Sequence, residues 1–120
     1  MSEFTPAPVK ATVAFSPLEA LDIRVGTIQR VEEVANSEKL MKLTVSFGDH
    51  TRCILAGIKK ERSNPKEIEN KQALFVLNLE PRKMAGEISE GMLFDIGYAD
   101  GVTPVLAMPE RPVPDGTRAG

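Results

Sequence analysis

The stretch 73–92 constrains the fold of this chain more than any other part of the sequence. It begins with the continuous apolar run 73–77, which is typical of a buried strand. Pro81 follows shortly after, and because proline fixes one backbone dihedral and lacks an N–H donor, we expect the strand to stop before it. Arg82 and Lys83 come next. The sequence therefore predicts two adjacent cations on a rigid segment beyond a strand end, an arrangement that suits a phosphate.

Short apolar segments elsewhere in the chain predict four more strands. In the first of them the period of two slips around Gly26, which predicts a bulge or a sharp bend there. On the third, alternation predicts that Cys53 and Leu55 face inward. A last apolar piece, 102–108, follows the fifth strand. The predicted strands are 21–34, 42–47, 51–56, 72–79 and 92–96, with a turn at 48–50.

Two short helices are also predicted. Ser16 is placed as an N-cap, with Pro17 at the first helical position and Glu19 in position to complete a capping box. Asn64, before Pro65, caps a second helix between the third and fourth strands. Five strands with such a helical insert match the OB-fold, a five-stranded Greek-key barrel. The prediction is thus an all-β protein with a flexible N-terminal tail at 1–15, the OB-fold barrel at 16–108 and a C-terminal extension at 109–120.

The composition excludes several classes of protein. At 120 residues the chain fits one domain, and 42% hydrophobic with 27% charged residues are ordinary globular values. Cys53 is the only cysteine, which excludes an internal disulfide and a cysteine-cluster metal site. No stretch approaches the ~20 apolar residues of a membrane span, and the first residues lack the pattern of a signal peptide. We therefore expect a cytoplasmic protein without membrane contact, and the capped start and finished C-terminus favour an independent protein.

Residues suited to catalysis are scarce. His50 is the only histidine and lies in a predicted turn, where a structural or solvated role is expected. The predicted core position of Cys53 gives its thiol neither access nor a partner base. The sequence contains no glycine-rich phosphate loop, nucleophile elbow or paired acid and base. We therefore expect a protein that is not an enzyme and that uses no cofactor and no metal.

Charge and aromatic content restrict the kind of nucleic acid that the chain would bind. The net charge is −2, so an RNA site must be a local positive patch on a mildly acidic body. Tryptophan is absent and Tyr98 is the only tyrosine, while Phe47, Phe75 and Phe94 are predicted to face inward. A platform for stacking single-stranded bases is therefore not expected. If the chain binds a nucleic acid, contacts to phosphate, sugar and shape are therefore favoured over stacking on bases.

Four motifs occur in the order and spacing of a known family. They are Leu-Asp-Ile-Arg-Val-Gly at 21–26, Ser-Glu-Lys-Leu at 37–40, Asn-Leu-Glu-Pro-Arg-Lys-Met at 78–84 and Ser-Glu-Gly-Met at 89–92. Between about Leu21 and Val105, the chain resembles the tRNA-binding domain found at the C-terminus of methionyl-tRNA synthetases and in free-standing tRNA-binding proteins. The resemblance implies tRNA as the partner and a homodimer joined by elements outside the barrel. It leaves an aminoacyl-tRNA synthetase open as a further partner.

The resemblance also assigns candidate RNA-binding residues. Lys39 matches the lysine of the family's Asp/Glu-Lys-Leu motif, and Asn78, Arg82 and Lys83 match the asparagine and cations of its Asn-Leu-x-Pro-Arg-Lys-Met motif. Without this match, Arg82 and Lys83 would be interpreted as solubilising charges. Ser89 matches the serine before Glu-Gly-Met, and it is either a donor to phosphate or a small residue packed under the loop.

Strand alternation adds two cations to this set. Lys42 alternates with Leu43 and Arg52 with Cys53, which predicts that both cations lie on the outer surface of the barrel. Arg24 is left out, because it is expected to pair with an acidic neighbour. The complete predicted RNA-binding set is Lys39, Lys42, Arg52, Asn78, Arg82, Lys83 and Ser89.

The nearest alternative is the CsaA-type export chaperone, which has the same barrel and binds unfolded polypeptide. The C-terminal stretch 112–117 is similar to that branch, but CsaA-type chains carry Gln-Ser-Ser-Ala-Gln where this chain has 53–58, and they lack Glu-Gly-Met. Ala56 departs from the tRNA-binding branch, many members of which have serine there. A second alternative is a domain appended to, or acting with, methionyl-tRNA synthetase. For the dimer, the expected apolar contacts are Val13, Phe15, Leu18, Val105, Leu106 and Met108.

Overall fold

A curled, five-stranded antiparallel sheet is the centre of the computed structural model, which describes residues 4–120. The first three residues of the predicted tail lie outside the described residues. In space the strands follow the order β3-β2-β1-β4-β7. Their bounds are β1 Ile23–Glu33, β2 Met41–Ser46, β3 Thr51–Ala56, β4 Gln72–Val76 and β7 Met92–Leu93.

Smaller elements stand at the margins of this sheet. Two two-stranded ribbons are formed by β5 (Arg82–Met84) with β6 (Glu87–Ser89), and by β8 (Asp95–Ile96) with β9 (Val105–Leu106). The helices are short: α1 is Ser16–Glu19, and single 3-10 turns occupy Pro65–Ile68 and Tyr98–Asp100. An all-β architecture was predicted and is confirmed. None of the helices in residues 4–120 has the length and apolar character needed to cross a membrane.

The core fills the inside of the curl. On β2, Met41, Leu43 and Val45 are buried and alternate with half-buried polar residues, which confirms the predicted strand pattern. Phe47 and Phe75 meet edge to face, with ring centroids 5.6 Å apart. The other large, fully buried side chains are Ile28, Val31, Ile54 and Ile68.

Gly26 allows a close approach and does not mark the bulge. The register of β1 against β2 shifts between Ile28 and Arg30, so the predicted bulge at Gly26 is wrong by a few residues. A Cβ on Gly26 would lie 2.7 Å from both Phe47 Cε1 and Val45 Cγ1. Glycine is therefore required here because core side chains pack directly onto the backbone of β1.

The predicted facing of β3 is wrong. Ile54 is fully buried and pairs with Leu43, whereas Cys53 is only half-buried and pairs with Thr44. Directly opposed residues share a face of the sheet, so Ile54 faces the core, while Cys53 and Leu55 face the other side. Leu55 is nevertheless buried, because the β5–β6 hairpin covers that side. Both faces of β3 are covered, and alternation alone did not distinguish them.

Three further predictions about local structure are corrected. β4 ends at Val76, before the predicted end at residue 79. The apolar run 92–96 divides between two sheets, so Phe94 is 43% exposed instead of inward-facing. The N-cap of α1 is Phe15, with no side-chain cap, so the predicted Ser16 cap and capping box are absent. By contrast, Asn64 Oδ1 accepts from Lys66 N at 3.2 Å ahead of the 3-10 turn between β3 and β4.

The C-terminal residues lie along β1. Gly116 N donates to Val25 O at 2.8 Å, and Val25 N donates to Thr117 O at 2.9 Å. The Thr27 hydroxyl donates to Asp115 Oδ1 at 2.6 Å. These bonds join the stretch predicted as an extension to the first strand, so it contributes to the stability of the barrel.

Candidate functional site

The β5–β6 hairpin presents the two adjacent cations. Its turn residues, Ala85 and Gly86, have φ of 50° and 83°, the positive values that a two-residue hairpin turn of type I′ requires. Arg82 pairs with Ser89, and Lys83 pairs with Ile88. The cations therefore leave opposite faces of the hairpin, with Arg82 on the side toward the barrel.

Arg82 and Lys83 are exposed and without a protein partner. Within residues 4–120, neither side chain has an ion pair or a hydrogen bond. Their positions are fixed by a paired hairpin that follows Pro81, as the sequence predicts for a rigid segment. Two oriented cations that form no ion pair in residues 4–120 are a local feature suited to an anionic ligand on this side of the molecule.

Lys39 lies in a loop that is fixed by a serine. Ser37 Oγ accepts from Lys39 N at 3.2 Å and from Leu40 N at 3.0 Å. Lys59 N donates to Lys39 O at 3.0 Å, so two polar loops lie side by side. The Lys39 side chain is exposed and makes no ion pair in the described part of the chain. Lys59 is neutralised by Glu33 at 2.9 Å, and this hydrogen bond lowers the pKa of the Glu33 carboxyl.

A small cavity lies between the hairpin and Ile58, which is next to the Lys39 loop. It has a volume of about 200 Å³ and lies between the hairpin and β3. Its apolar lining includes Ile58, Met84 and Leu93, and Arg82 stands beside them. Ile58 directly precedes Lys59, whose backbone contacts Lys39. Arg82 thus lines the cavity directly, and the Lys39 loop bonds to the residue that follows the lining residue Ile58.

Lys42 lies on the outer face of β2, as predicted. Its partner across the strand pair is Leu55. The ammonium group is 3.6 Å from Glu87 Oε1 on the hairpin. Lys42 thus connects β2 to the hairpin, and part of its charge is already compensated.

Arg52 does not share the outer surface with Lys42, and that prediction is wrong. It pairs with Val45, a core residue, so its side chain leaves the opposite face of β3. There Nη1 donates to Leu77 O at 2.9 Å and to Glu90 O at 3.0 Å, while Nε donates to His50 Nε2 at 3.0 Å.

Asn78 and Ser89 already have protein partners. Asn78 Nδ2 donates to Ala20 O at 2.7 Å, and its Oδ1 accepts from Asp22 N at 2.7 Å. Ser89 is 3% exposed; its Oγ accepts from Leu55 N at 3.0 Å and donates to Gly91 O at 2.9 Å. A contact of Ser89 with RNA stays a prediction, and it would require this hydroxyl to leave its protein partners.

His50 and Cys53 have no arrangement suited to catalysis. His50 Nδ1 is 2.7 Å from Asp49 Oδ1, and this hydrogen bond lowers the pKa of the Asp49 carboxyl. Burial raises the pKa of the Cys53 thiol, which opposes thiolate formation. Across residues 4–120, no cluster of three or more His, Cys, Asp or Glu side chains is arranged to hold a metal ion.

Sequence reasoning missed two features of this side. Lys60 is exposed and, within the part of the chain that the structure describes, has no ion pair, although it adjoins Lys59 in a visibly charged loop. The hairpin itself was not predicted either, because its strands have only three residues each. The neighbouring residues Ala85 and Gly86 were the available turn signal.

Comparison with known proteins gives consistent matches. Residues 23–118 match the family described as "Putative tRNA binding domain". The methionine–tRNA ligase of Bacteroides fragilis is 38% identical over 110 residues, which cover 92% of this chain and 16% of the ligase. A MetRS-related protein from Pyrococcus horikoshii superimposes with a TM-score of 0.84 at 31% identity, covering 92% of this chain and all of that one. The chaperone CsaA from Bacillus anthracis gives 0.79 at 30% identity, with coverage of 92% and 100%.

Proposed function

The chain belongs to the tRNA-binding domain family, and from this we propose that it binds folded tRNA without catalysing a reaction. The observation that carries the proposal is the pair Arg82 and Lys83, held on a fixed hairpin and without protein partners. Lys39 extends the same surface, and Lys42 joins it where phosphate displaces Glu87. Ser89 supports the hairpin from its buried side, and Arg52 contacts both ends of the stretch that carries it.

The mode of recognition is phosphate, sugar and shape. Phe47 and Phe75 are in the core, and the hairpin presents no aromatic side chain on which a base would stack. Folded tRNA is therefore expected to bind more tightly than single-stranded RNA of equal length. Equal or tighter binding of the single strand would contradict this mode.

The test removes both hairpin cations together. In the double variant Arg82→Ala, Lys83→Ala, tRNA affinity should fall, and the slope of log K against log salt should become shallower by about one to two, because fewer counterions are released. The matched control is the double variant Lys71→Ala, Arg111→Ala, which also removes two exposed positive charges. These residues lie near the start of β4, whereas the hairpin follows the end of β4.

The outcome separates a binding role from a solubilising one. Circular dichroism melts of the same samples establish that each variant is folded. If the hairpin variant is folded and has the affinity and salt slope of the wild type, Arg82 and Lys83 only increase solubility and do not bind tRNA. A loss as large in the control would indicate that only overall charge matters.

A homodimer is part of the proposal. Exposed apolar side chains include Phe15 at 68%, with Leu18 and Phe94 lining the same groove. Leu106, in contrast, packs against the core and is removed from the expected contact set. Pairing of two copies over this groove would double the tRNA-binding surface. Sedimentation of wild type against Phe15→Ser, Phe94→Ser tests this, and a wild type that is monomeric at high micromolar concentration would refute it.

Three finer assignments complete the proposal. The curled sheet with the Pro65–Ile68 turn is a five-stranded OB-fold barrel, the protein acts in the cytoplasm, and a synthetase is a candidate partner.

Polypeptide binding is the second candidate function, favoured by the apolar lining of the 200 Å³ cavity beside Arg82. A competition experiment with an unfolded polypeptide tests it, since a ligand in that cavity should displace tRNA.

A further inference from the structure

We propose that Arg52 is a positioning residue for tRNA binding, which holds the β5–β6 hairpin in place without contacting RNA itself. The inference rests on the proposed function, since it concerns how the surface around Arg82 and Lys83 is presented. The family resemblance assigns RNA-binding residues to the motifs at 78–84 and 89–92, which include β5 and the last residue of β6. The contacts of Arg52 indicate a different role, which is to hold the hairpin in position.

The contacts of one nitrogen atom carry the inference. Arg52 Nη1 donates both to Leu77 O, at 2.9 Å, and to Glu90 O, at 3.0 Å. Leu77 is the last residue before the stretch 78–90 leaves the barrel, and Glu90 directly follows β6. A single donor group therefore reinforces the junction between the two ends of the excursion, which Val76 and Met92 also join by strand pairing. This fixes where the hairpin stands relative to β3.

The guanidinium is itself held in orientation. Its Nε donates to His50 Nε2 at 3.0 Å, so the proton of the neutral ring is on Nδ1, which donates to Asp49 Oδ1 at 2.7 Å. The His50 ring stacks on Phe47, with centroids 5.6 Å apart. Asp49, His50 and Arg52 thus form a chain of hydrogen bonds from a surface turn to the base of the hairpin.

Loss of Arg52 should loosen the hairpin without unfolding the barrel. The β6 end keeps its other bonds, including Glu90 N to Cys53 O at 2.8 Å. The β4 end keeps Leu77 N to Asp22 O, also at 2.8 Å. Both ends also stay joined by the pairing of Val76 with Met92, so the variant removes a reinforcing contact and leaves the sheet intact. The bond to Glu90 O is exposed and the bond to Leu77 O is part-buried, so their loss should cost less than the stability of a typical domain.

The experiment is a double-mutant cycle in tRNA affinity. Its members are the wild type, Arg52→Ala, the pair Arg82→Ala, Lys83→Ala, and the triple variant. If Arg52 acts through the hairpin, Arg52→Ala weakens binding by about threefold to tenfold. The triple variant should then bind no more than about twofold less tightly than the hairpin pair, because the contacts that Arg52 positions are already gone.

A direct contact predicts a different cycle. If Arg52 binds phosphate, its loss adds in full to that of the hairpin pair, and the salt slope of the triple variant falls by about one more unit. That result would overturn the inference. Arg30→Ala is the matched control, since this exposed arginine pairs with Glu32 on β1 and makes no contact with the hairpin in the described structure. It should leave affinity within about twofold of wild type.

Hydrogen exchange separates this inference from the proposed function. Amides 82–89 should exchange faster in Arg52→Ala and in His50→Phe, which keeps a ring on Phe47 but removes the acceptor. The second variant preserves the test if Arg52→Ala does not fold. Unchanged exchange of these amides in a folded variant would overturn the positioning role, whereas wild type that fails to bind tRNA would overturn only the proposed function.

Discussion

Ser89→Ala tests whether this serine is a support of the hairpin or a contact to RNA. The side chain is 3% exposed and makes two hydrogen bonds. It accepts from Leu55 N at 3.0 Å and donates to Gly91 O at 2.9 Å. Alanine removes both bonds without changing the fold of the backbone, so the variant measures what the hydroxyl contributes.

The expected cost follows from burial. Leu55 is 5% exposed, so its N–H is left without a partner or water in the variant, which costs about 1–3 kcal/mol. The carbonyl of Gly91 is less affected, because oxygen has a second lone pair and the residue is partly exposed. We expect a loss of about 2 kcal/mol in the free energy of unfolding. For a domain of this size, that lowers Tm by about 8 °C.

The measurement combines urea unfolding, thermal melts and tRNA binding on the same samples. Affinity, measured well below Tm, should fall by no more than the roughly tenfold expected when a support of the hairpin is lost. Ser46→Ala is the matched control, because its Oγ only accepts from Gly48 N at 3.3 Å in an exposed turn and should cost less than about 0.5 kcal/mol. Unchanged stability of Ser89→Ala together with a large loss of affinity would refute the reasoning and would identify Ser89 as a contact to RNA.

Three further predictions concern the rest of the barrel. Gly26→Ala should destabilise by about 1–3 kcal/mol in urea unfolding, because the new methyl group would lie 2.7 Å from Phe47 Cε1; a loss below about 0.5 kcal/mol would contradict this packing. The hydrogen bond from Arg24 lowers the pKa of Asp22 from its ordinary value of 3.8. The ionised carboxylate therefore stabilises the folded state above pH 3.8, and this stabilisation is lost as the pH falls through the lower pKa of the folded protein. Asp22→Asn should therefore be less stable than wild type at pH 7, by at most about 1 kcal/mol, and the difference measured in melts should shrink as the pH is lowered below 3.8. Burial raises the pKa of the Cys53 thiol, so alkylation by iodoacetamide at pH 8 should be slower in the folded than in the unfolded protein, and equal rates would exclude that burial.

The sequence was sufficient to predict strands whose two faces differ. β2 has a buried apolar face and a half-buried polar one, and its alternation gave the correct facing of Lys42. β3 has apolar residues on both sides, because the hairpin covers the side opposite the core. The face of the sheet on which Arg52 lies depends on which residue of β2 is opposite to it. The alternation within one strand does not determine this pairing register. The prediction for Arg52 failed for that reason.

The hairpin shows a second limit. Pro81 correctly indicated a break after β4, since proline acts locally on its own backbone. β5 and β6 are too short for a period of two to be recognised, and Lys83 and Ile88 are paired only because the turn at Ala85 takes positive φ. The family motif located the right segment without indicating that its two cations leave opposite faces.

The ion pairs explain how an acidic chain presents a positive surface. The chain has 15 lysines and arginines against 17 acidic residues, and Lys42, Lys59 and Arg62 each have a carboxylate within 4 Å. Such pairs are screened and weak, so they reduce the local field without contributing much stability. Arg82 and Lys83 are exposed without such a partner in residues 4–120. Affinity for a polyanion therefore depends on which cations lack a neighbouring carboxylate. The composition does not show this, because it is determined by how residues 78–90 fold against β3.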